Sequence, residues 1–288
     1  MTQLAGRVAF VSGAAGGLGG GIAHALAEAG ASLALADLRE EPLRERQAQL
    51  ESRGVRCAAA VVDVGDADAL TDAAARFNRD LGPVTICVNN AGVGYIGAPA
   101  DQVPIADYDW VWAVNVRGAM LGVRAFVPGM RAAAIGGHVV NVASHDGLFA
   151  NPALQHAPYC ASKGAVVLYS DALRHELGPL GIGVSVVCPG LVHSELPRSS
   201  RLRPAKYGGP FERADEQALL AAMQDTAMDA LTAGRFIVAA VLENRFWVLT
   251  HAGYRPELEA RCREWQDALT WSEQTARRLG VSEPRLAR

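Results

Sequence analysis

Tyr159 and Lys163 stand four positions apart in "PYCASKGAV", with only small residues between them. On a helix four positions is about one turn, so the phenol and the ammonium stack on one face. Two readings of the pair follow. An exposed tyrosine beside a surface lysine does no chemistry. A phenol whose pKa is lowered by the adjacent cation passes a proton near neutral pH. The elements around the pair decide between them.

The 288 residues are enough for one large α/β domain or two small ones. Half of them are hydrophobic and a fifth are charged, which fits a soluble protein with a sizeable core. A net charge of −3 gives no general reason to expect nucleic acid or an anionic membrane as partner. Runs such as "ASLALA" and "GAVVL" are too short to span a bilayer. No signal peptide is expected, because "GRVAFVSG" already reads as a first strand and its turn. Cys57, Cys87, Cys160, Cys188 and Cys262 lie far apart without metal-ligand spacing and read as small core residues in a reducing cytoplasm.

Short apolar runs alternate with helical patterns. The runs are "VAFVS" from Val8, "SLALA" from Ser32, "CAAAVV" from Cys57, "VTICV" from Val84, "HVVNVA" from His138 and "GVSVVC" from Gly183. They are nearly continuous, as strands buried on both faces should be. Helical segments such as 20–29 and 66–79 separate them, which argues for right-handed βαβ units and a doubly wound parallel sheet. From Ser194 the stretch "SELPRSSRLRPAKYGGP" reads as a mobile loop, and a helix is expected from about Asp215. "RFWVLT" from Arg245 reads as the last strand. In the tail, Leu258, Cys262, Trp265 and Leu269 recur at helical spacing, a stripe suited to packing on the body or a neighbouring subunit. The expected organisation is one domain: 1–193 the cofactor-binding and catalytic core, 194–234 a substrate loop or lid, and 235–288 the last strand and C-terminal helix.

"VSGAAGGLGGGIAHAL" joins the first strand to the first helix. Gly13, Gly17 and Gly19 permit a tight turn in which backbone N–H groups approach a diphosphate, and the helix behind them points its positive end at the same anion. Asp37 closes the second strand, where a carboxylate accepts hydrogen bonds from ribose hydroxyls and repels a 2′-phosphate. That favours NAD over NADP. Arg39 keeps NADP open, since a guanidinium pairs with such a phosphate, and Asp37 as a mere cap of the next helix is the bland alternative. Asp63, in "VVDVGD", is placed either to meet an adenine amine or to partner a helix N-terminus.

The ordered set "SGAAGGLG" at Ser12, "DV" at Asp63, "NNAG" at Asn89, "VNV" at Val114, "NVAS" at Asn141, "YCASK" at Tyr159 and "PGLVHS" at Pro189 resembles the short-chain dehydrogenase/reductase family. The match runs to about residue 194, and no single piece carries it. The resemblance implies a Rossmann-type sheet of about seven strands and an NAD(P) cofactor. It makes Tyr159 the acid/base and Lys163 the residue that holds the nicotinamide ribose and lowers the phenol's pKa. Ser144 would bond the substrate oxygen and Asn115 would support a water-linked proton path. Leu18, with the three glycines, would line the phosphate turn, and Val64 would join Asp63 beside the adenine. Asn90, Ala91 and Gly92 would lie against the cofactor. Pro189, Gly190 and Val192 would border the nicotinamide, with Ser194 at its carboxamide.

An ordinary phenol has a pKa near 10, so only about one in a thousand is ionised at pH 7. A shift of roughly three units, about 4 kcal/mol, is therefore expected from the lysine and the positive nicotinamide ring. Two departures stand out. Fifteen positions separate Ser144 from Tyr159, and the insert "HDGLFANPALQHAP" puts the pocket's shape in question. The ending "RFWVLTHAG" replaces the family's glycine-rich "DGG" and resembles a subgroup with a longer C-terminal helix, some of whose members oxidise benzylic or other bulky secondary alcohols.

His145, His156 and His193 fall near the expected pocket as solvated, structural or substrate-bonding residues, without a metal pattern. Arg198, Arg201, Arg203 and Lys206 read as a solvated basic loop or as an attractor for a substrate anion. Tyr95, Ile96, Leu148, Phe149 and Leu154 would give an apolar lining if they face the pocket. The expectation is an NAD-dependent alcohol dehydrogenase or ketoreductase acting on a hydrophobic or ring-bearing secondary alcohol. It is expected to be cytoplasmic and a homotetramer or homodimer through helices around 107–130 and 162–177. The rivals are an NADP-dependent carbonyl reductase and a non-catalytic NAD(H)-sensing module.

Overall fold

A computed structural model describes residues 3–212 and 216–281. Seven strands form one parallel sheet: β1 Val8–Ser12, β2 Ser32–Asp37, β3 Cys57–Val61, β4 Val84–Asn89, β5 Gly137–Val142, β6 Ile182–Val187 and β7 Trp247–Val248. Their order across the sheet is β3-β2-β1-β4-β5-β6-β7. The doubly wound sheet expected from the apolar runs is present. Phe10 sits level with Ala34 on one side and Cys87 on the other. The chain reverses its direction of travel between β1 and β4, and the crevice beyond their C-terminal ends is where such sheets bind ligands.

Burial explains why the runs do not alternate. All five residues of β1 are buried, and side chains of both parities find a core. Val11 faces one layer with Ile22, Leu26, Leu33 and Ile237. Phe10 faces the other with Phe77, Phe126 and Leu173, and its ring lies 4.3 Å from that of Phe126.

The helices are α1 Gly17–Glu28, α2 Glu40–Glu51, α3 Ala67–Leu81, α4 Ile105–Trp112, α5 Gly118–Ala133, α6 Ala157–Leu177, α7 Glu216–Thr226, α8 Ala230–Leu242 and α9 Arg255–Leu279. Asp66 caps α3, accepting hydrogen bonds from the N–H groups of Asp68 and Ala69. A single wide π turn, Ala113–Arg117, joins α4 to α5. The expected start of α7 at Asp215 lies outside the described residues. The stretch after Ser194 folds into two 3-10 turns, Leu196–Leu202 and Ala205–Tyr207.

One compact unit ends at Thr250 and a second begins at His251. In the second, α9 carries no buried residue, and Trp265 of its apolar stripe is 61% exposed. No helix among the described residues is long and apolar enough to cross a membrane.

Glycine sets one contact that matters for the site. Where α1 crosses α8, a methyl on Gly21 would overlap the Ala230 carbonyl and one on Gly234 would overlap the Gly21 carbonyl. The two backbones therefore touch, fixing α8 to the helix that carries the glycine turn. Gly234→Ala must separate them, and we expect a loss of about 1–3 kcal/mol. Urea unfolding with an unchanged m-value checks this, and wild-type stability would refute the close crossing.

Candidate active site

The glycine turn is built as a cradle. A Cβ on Gly13 would stand 2.9 Å from Asn90 Nδ2, and one on Gly19 would overlap the Gly13 carbonyl. Gly17 has a φ of +51°, and a Cβ there would stand 2.9 Å from Ser194 Cβ. No side chain caps α1 and no acidic residue occupies its first turn, so its leading N–H groups suit an anion. Leu18 packs partly buried on the core beneath the turn. The Ser12 hydroxyl accepts the backbone N–H groups of Asn90 and Ala91, each at 3.0 Å, and Asn90 Nδ2 donates to the Ser12 carbonyl at 2.9 Å. These bonds lock the ends of β1 and β4 together. The sequence reading did not single out Ser12. A polar residue closing an otherwise apolar strand was its signal.

Asp37 is buried at the end of β2. Its Oδ2 accepts the Ala15 N–H of the glycine turn at 3.0 Å, and its Oδ1 accepts the Arg39 N–H and Nε at 3.0 and 3.1 Å. It caps none of the first-turn residues of α2. Asp63 bonds the Gly65 N–H at 2.9 Å, while Asp66 does the capping of α3. Val64 is buried against the helical stretch at Gly118.

Asn115 comes from the π turn and is 3% exposed. Its Oδ1 accepts the Val93 N–H at 2.8 Å, and its Nδ2 donates to the Val93 carbonyl and the Ser162 hydroxyl, each at 3.0 Å. Ser162 donates to the Tyr159 carbonyl at 2.7 Å. A Cβ on Gly92 would lie 3.3 Å from both Asn115 Oδ1 and Lys163 Nζ, so the loop after β4 runs against both side chains.

Tyr159 and Lys163 lie on α6, as the spacing requires, and both are buried. The exposed-pair reading is therefore wrong. Lys163 Nζ donates to the Val142 carbonyl at 2.9 Å and stands 5.7 Å from the Tyr159 ring centre. Ser144 reaches the Tyr159 phenol in a hydrogen bond across the insert. A 3-10 turn, His145–Gly147, folds directly against the Lys163 backbone, and the His145 N–H bonds the Pro189 carbonyl at 3.1 Å.

In the chain by itself, burial dominates the electrostatics of the pair. Burial, helped by the Asp146 charge, pushes the Tyr159 phenol above the ordinary tyrosine range, and a hydrogen bond with Ser144 works the other way. Burial pulls Lys163 down to about 8. The lysine does not lower the phenol here, because the same desolvation disfavours both charged forms.

Arg198, Arg201 and Arg203 are all ion-paired, while Arg198, Arg201 and Lys206 remain exposed to solvent. Arg198 Nε and Arg201 Nε donate to the buried Glu216 carboxylate at 3.3 and 3.1 Å. Arg203 pairs with buried Asp107 at 2.8 Å. Ser199 accepts the Gly94 N–H at 3.0 Å, so the loop after β4 is tied to this segment. A cavity of about 400 Å³ opens beside Gly17 and Ser194, with Leu220 and Met223 on its wall. Val192 pairs with Met228 as an isolated parallel bridge above it. Tyr95 packs against Tyr159, whereas Leu148 turns into the core beside Val166 and Val167. Ile96, Phe149 and Leu154 are half-buried.

A doubly wound sheet with an uncapped glycine turn at its switch point, a buried acid closing β2 and an interior Tyr–Lys pair defines a dinucleotide-binding α/β protein. Residues 7–204 match the short chain dehydrogenase family. The chain is 35% identical over 256 residues to a C alpha-dehydrogenase of Sphingobium sp. strain SYK-6, covering 88% of this chain and 83% of that protein. It resembles a short chain dehydrogenase/reductase from Burkholderia phymatum solved in complex with NAD, with a TM-score of 0.84, 28% identity and complete coverage of both chains. A blue fluorescent protein from a metagenomic library, solved with NADPH, gives a TM-score of 0.72 at 26% identity over 88% of this chain and 99% of that one. The chain belongs to the short-chain dehydrogenase/reductase family. It is an oxidoreductase that binds a nicotinamide dinucleotide, and the glycine cradle fits that group's diphosphate.

Burial of Lys163 has a measurable consequence. Between about pH 8 and the lysine's ordinary 10.5 the unfolded chain holds the extra proton, so this group makes stability rise with pH across that window. Below about pH 8 its full penalty applies. Lys163→Met is expected to raise the urea stability of the chain without cofactor by about 1–3 kcal/mol at pH 7. The wild-type deficit relative to the variant should shrink from pH 8 to 10.5. A less stable variant with no pH-dependent difference would mean that the ammonium is not penalised in its site.

Proposed function

We propose that this chain is an NAD-dependent alcohol dehydrogenase or ketoreductase that interconverts a secondary alcohol and its ketone by hydride transfer, with a hydrophobic or ring-bearing substrate. The observation that carries the reading is the convergence of Ser144, Tyr159, Lys163 and Asn115 at the C-terminal ends of the central strands. When bound, the dinucleotide supplies the carbon that accepts the hydride and a positive ring near the phenol.

Tyr159 takes the hydroxyl proton during oxidation and returns it during reduction. Ser144, hydrogen-bonded to that phenol, holds the substrate oxygen. Lys163, fixed by Val142, holds a ribose hydroxyl and presents its charge to the phenol. Asn115 keeps the loop after β4 and the start of α6 in register and supports the water-linked proton path. The raised phenol of the isolated chain supports a division of labour: the protein provides a dry site, and the base becomes competent only when the site is loaded. Gly13, Gly17, Leu18 and Gly19 would hold the diphosphate. Asp37 would take the ribose, Asp63 and Val64 the adenine, Asn90, Ala91 and Gly92 the dinucleotide's flank, and Pro189, Gly190, Val192 and Ser194 the nicotinamide end. Half-buried Ile96, Phe149 and Leu154 support an apolar pocket.

The NAD preference rests on Asp37, whose charge opposes a 2′-phosphate. Arg39 favours the second reading, an NADP-dependent reductase, because its guanidinium lies against the Asp37 carboxylate and could pair with a 2′-phosphate there. Five free thiols support a reducing cytoplasm. Exposed apolar residues on the helices expected to form subunit contacts, among them Ile105, Trp112 and Leu168 (72% exposed), support a homodimer or homotetramer.

Two experiments test these assignments. Tyr159→Phe should reduce NAD-dependent oxidation of a panel of aryl and alicyclic secondary alcohols by about 10³-fold or more while NADH affinity, read by fluorescence, stays within about twofold. Equal loss of NADH binding would remove the proton-transfer role. Asp37→Ser, which frees Arg39, should shift the NADP-to-NAD ratio of kcat/KM by roughly 10–100-fold, or about 1.4–2.8 kcal/mol. An unchanged ratio would remove Asp37 from cofactor choice.

A further inference from the structure

Beside the Tyr–Lys pair lies a cluster that neither the proton chemistry nor the dinucleotide uses. We propose that Asp146, His156 and Cys160 form a binding site for a zinc-class divalent cation. A carboxylate oxygen, an imidazole nitrogen and a thiol sulfur, the three donor types that zinc combines, lie here within 4.8 Å of one another. His156 Nε2 stands 3.2 Å from Asp146 Oδ1. A tetrahedron with metal bonds of about 2.0–2.3 Å has edges of roughly 3.3–3.8 Å, so this edge is already nearly closed.

Hydrogen bonding to the imidazoles points the same way. His156 is 3% exposed, and its Nδ1 faces the Leu154 carbonyl at 3.0 Å. A ring that donates from Nδ1 to that carbonyl turns a lone pair at Nε2 toward the carboxylate, leaving two acceptors in contact. Either a second ring proton or a cation must stand between them. Metal-bound histidines are ordinarily oriented in this way, with the distal N–H given to a backbone carbonyl. His145 repeats the arrangement, with Nδ1 at 3.1 Å from the Pro189 carbonyl and Nε2 at 3.4 Å from the same Asp146 oxygen. It lies outside the three donors that fall within 4.8 Å of one another, so the fourth position of the tetrahedron is left to solvent.

The chain topology supports the site. Residue 156 immediately precedes α6 and Cys160 lies in its first turn, an i,i+4 pair joined by the Cys160 N–H bond to the His156 carbonyl at 3.1 Å. Burial and the Asp146 charge hold the proton on the Cys160 thiol in the chain alone, so a bound ion would have to displace it, and one carboxylate plus one thiolate would then neutralise a dication. The remaining Asp146 oxygen lies 3.3 Å from the Ser144 hydroxyl. A bound ion would therefore pin the 145–158 insert against α6 and fix the orientation of Ser144.

The test uses tag-free full-length protein, stripped with chelator and dialysed against zinc or cobalt(II). The expected result is one retained equivalent by elemental analysis, a raised melting temperature, and a sulfur-to-cobalt charge-transfer band. Cys160→Ser should abolish the band and, like His156→Ala, weaken zinc binding by at least about 10–100-fold, the loss seen even for outer-sphere partners. Cys262→Ala, at the exposed cysteine, should bind as the wild type does. Absence of the charge-transfer band in wild-type protein overturns the proposal without recourse to any variant. So does zinc retention that survives both Cys160→Ser and His156→Ala. The cluster would then be only an imidazolium–carboxylate pair beside a thiol.

Discussion

A carboxamide shut away from water has four hydrogen-bonding positions to satisfy, and any left open carries a penalty of about 1–3 kcal/mol. Asn115 fills three of the four with partners from two other segments: both backbone groups of Val93 and the hydroxyl of Ser162. The loop after β4, the wide turn between α4 and α5, and the start of α6 are thereby placed relative to one another through one side chain. The π turn is what brings Asn115 inward, since widening the helix there redirects a residue that a regular turn would send elsewhere. Ser12 does the same for β1 and β4 from the other side. The catalytic candidates inherit their positions from these two polar clamps rather than from apolar packing alone.

The interior that gives the site its geometry also sets its electrostatics. The environment around Tyr159 and Lys163 is hostile to an isolated phenolate and to an isolated ammonium alike. On the proposed chemistry, such a site would stay unreactive until compensating charge arrived. That is a physical means of joining chemistry to occupancy, because a base that ionised in the open site would lose its protection from water.

Much of the architecture could be read from residue order. Continuous apolar runs signalled strands covered on both faces, and the burial of all of β1 bears this out. The four-residue spacing placed Tyr159 and Lys163 on one helix. Four things were not legible. β7 is only two residues, because Trp247 at the sheet edge is half exposed and pairs with β6 alone. The arginines of the 198–203 stretch looked unpaired, since Glu216 and Asp107 reach them only through folding. The desolvation that raises the Tyr159 phenol in the chain alone was hidden, because a sequence displays the neighbouring charge and not the loss of water. The Asp146–His156 contact was invisible for the same reason as the arginine partners: ten positions of irregular chain lie between them, and no period predicts that they meet.

The two glycine contacts on α1 carry one more implication. Gly17 abuts Ser194 and Gly21 abuts α8 at Gly234, so both ends of the intervening stretch are moored to the most invariant-demanding piece of backbone in the molecule, where no side chain fits. Between those moorings lie the two 3-10 turns and α7, with Arg198 and Arg201 of the first turn paired to Glu216 of the helix. Lineages sharing this scaffold could exchange that span for another of different size or chemistry without disturbing the sheet or the nucleotide cradle. Diversification of selectivity would then concentrate in a replaceable cassette.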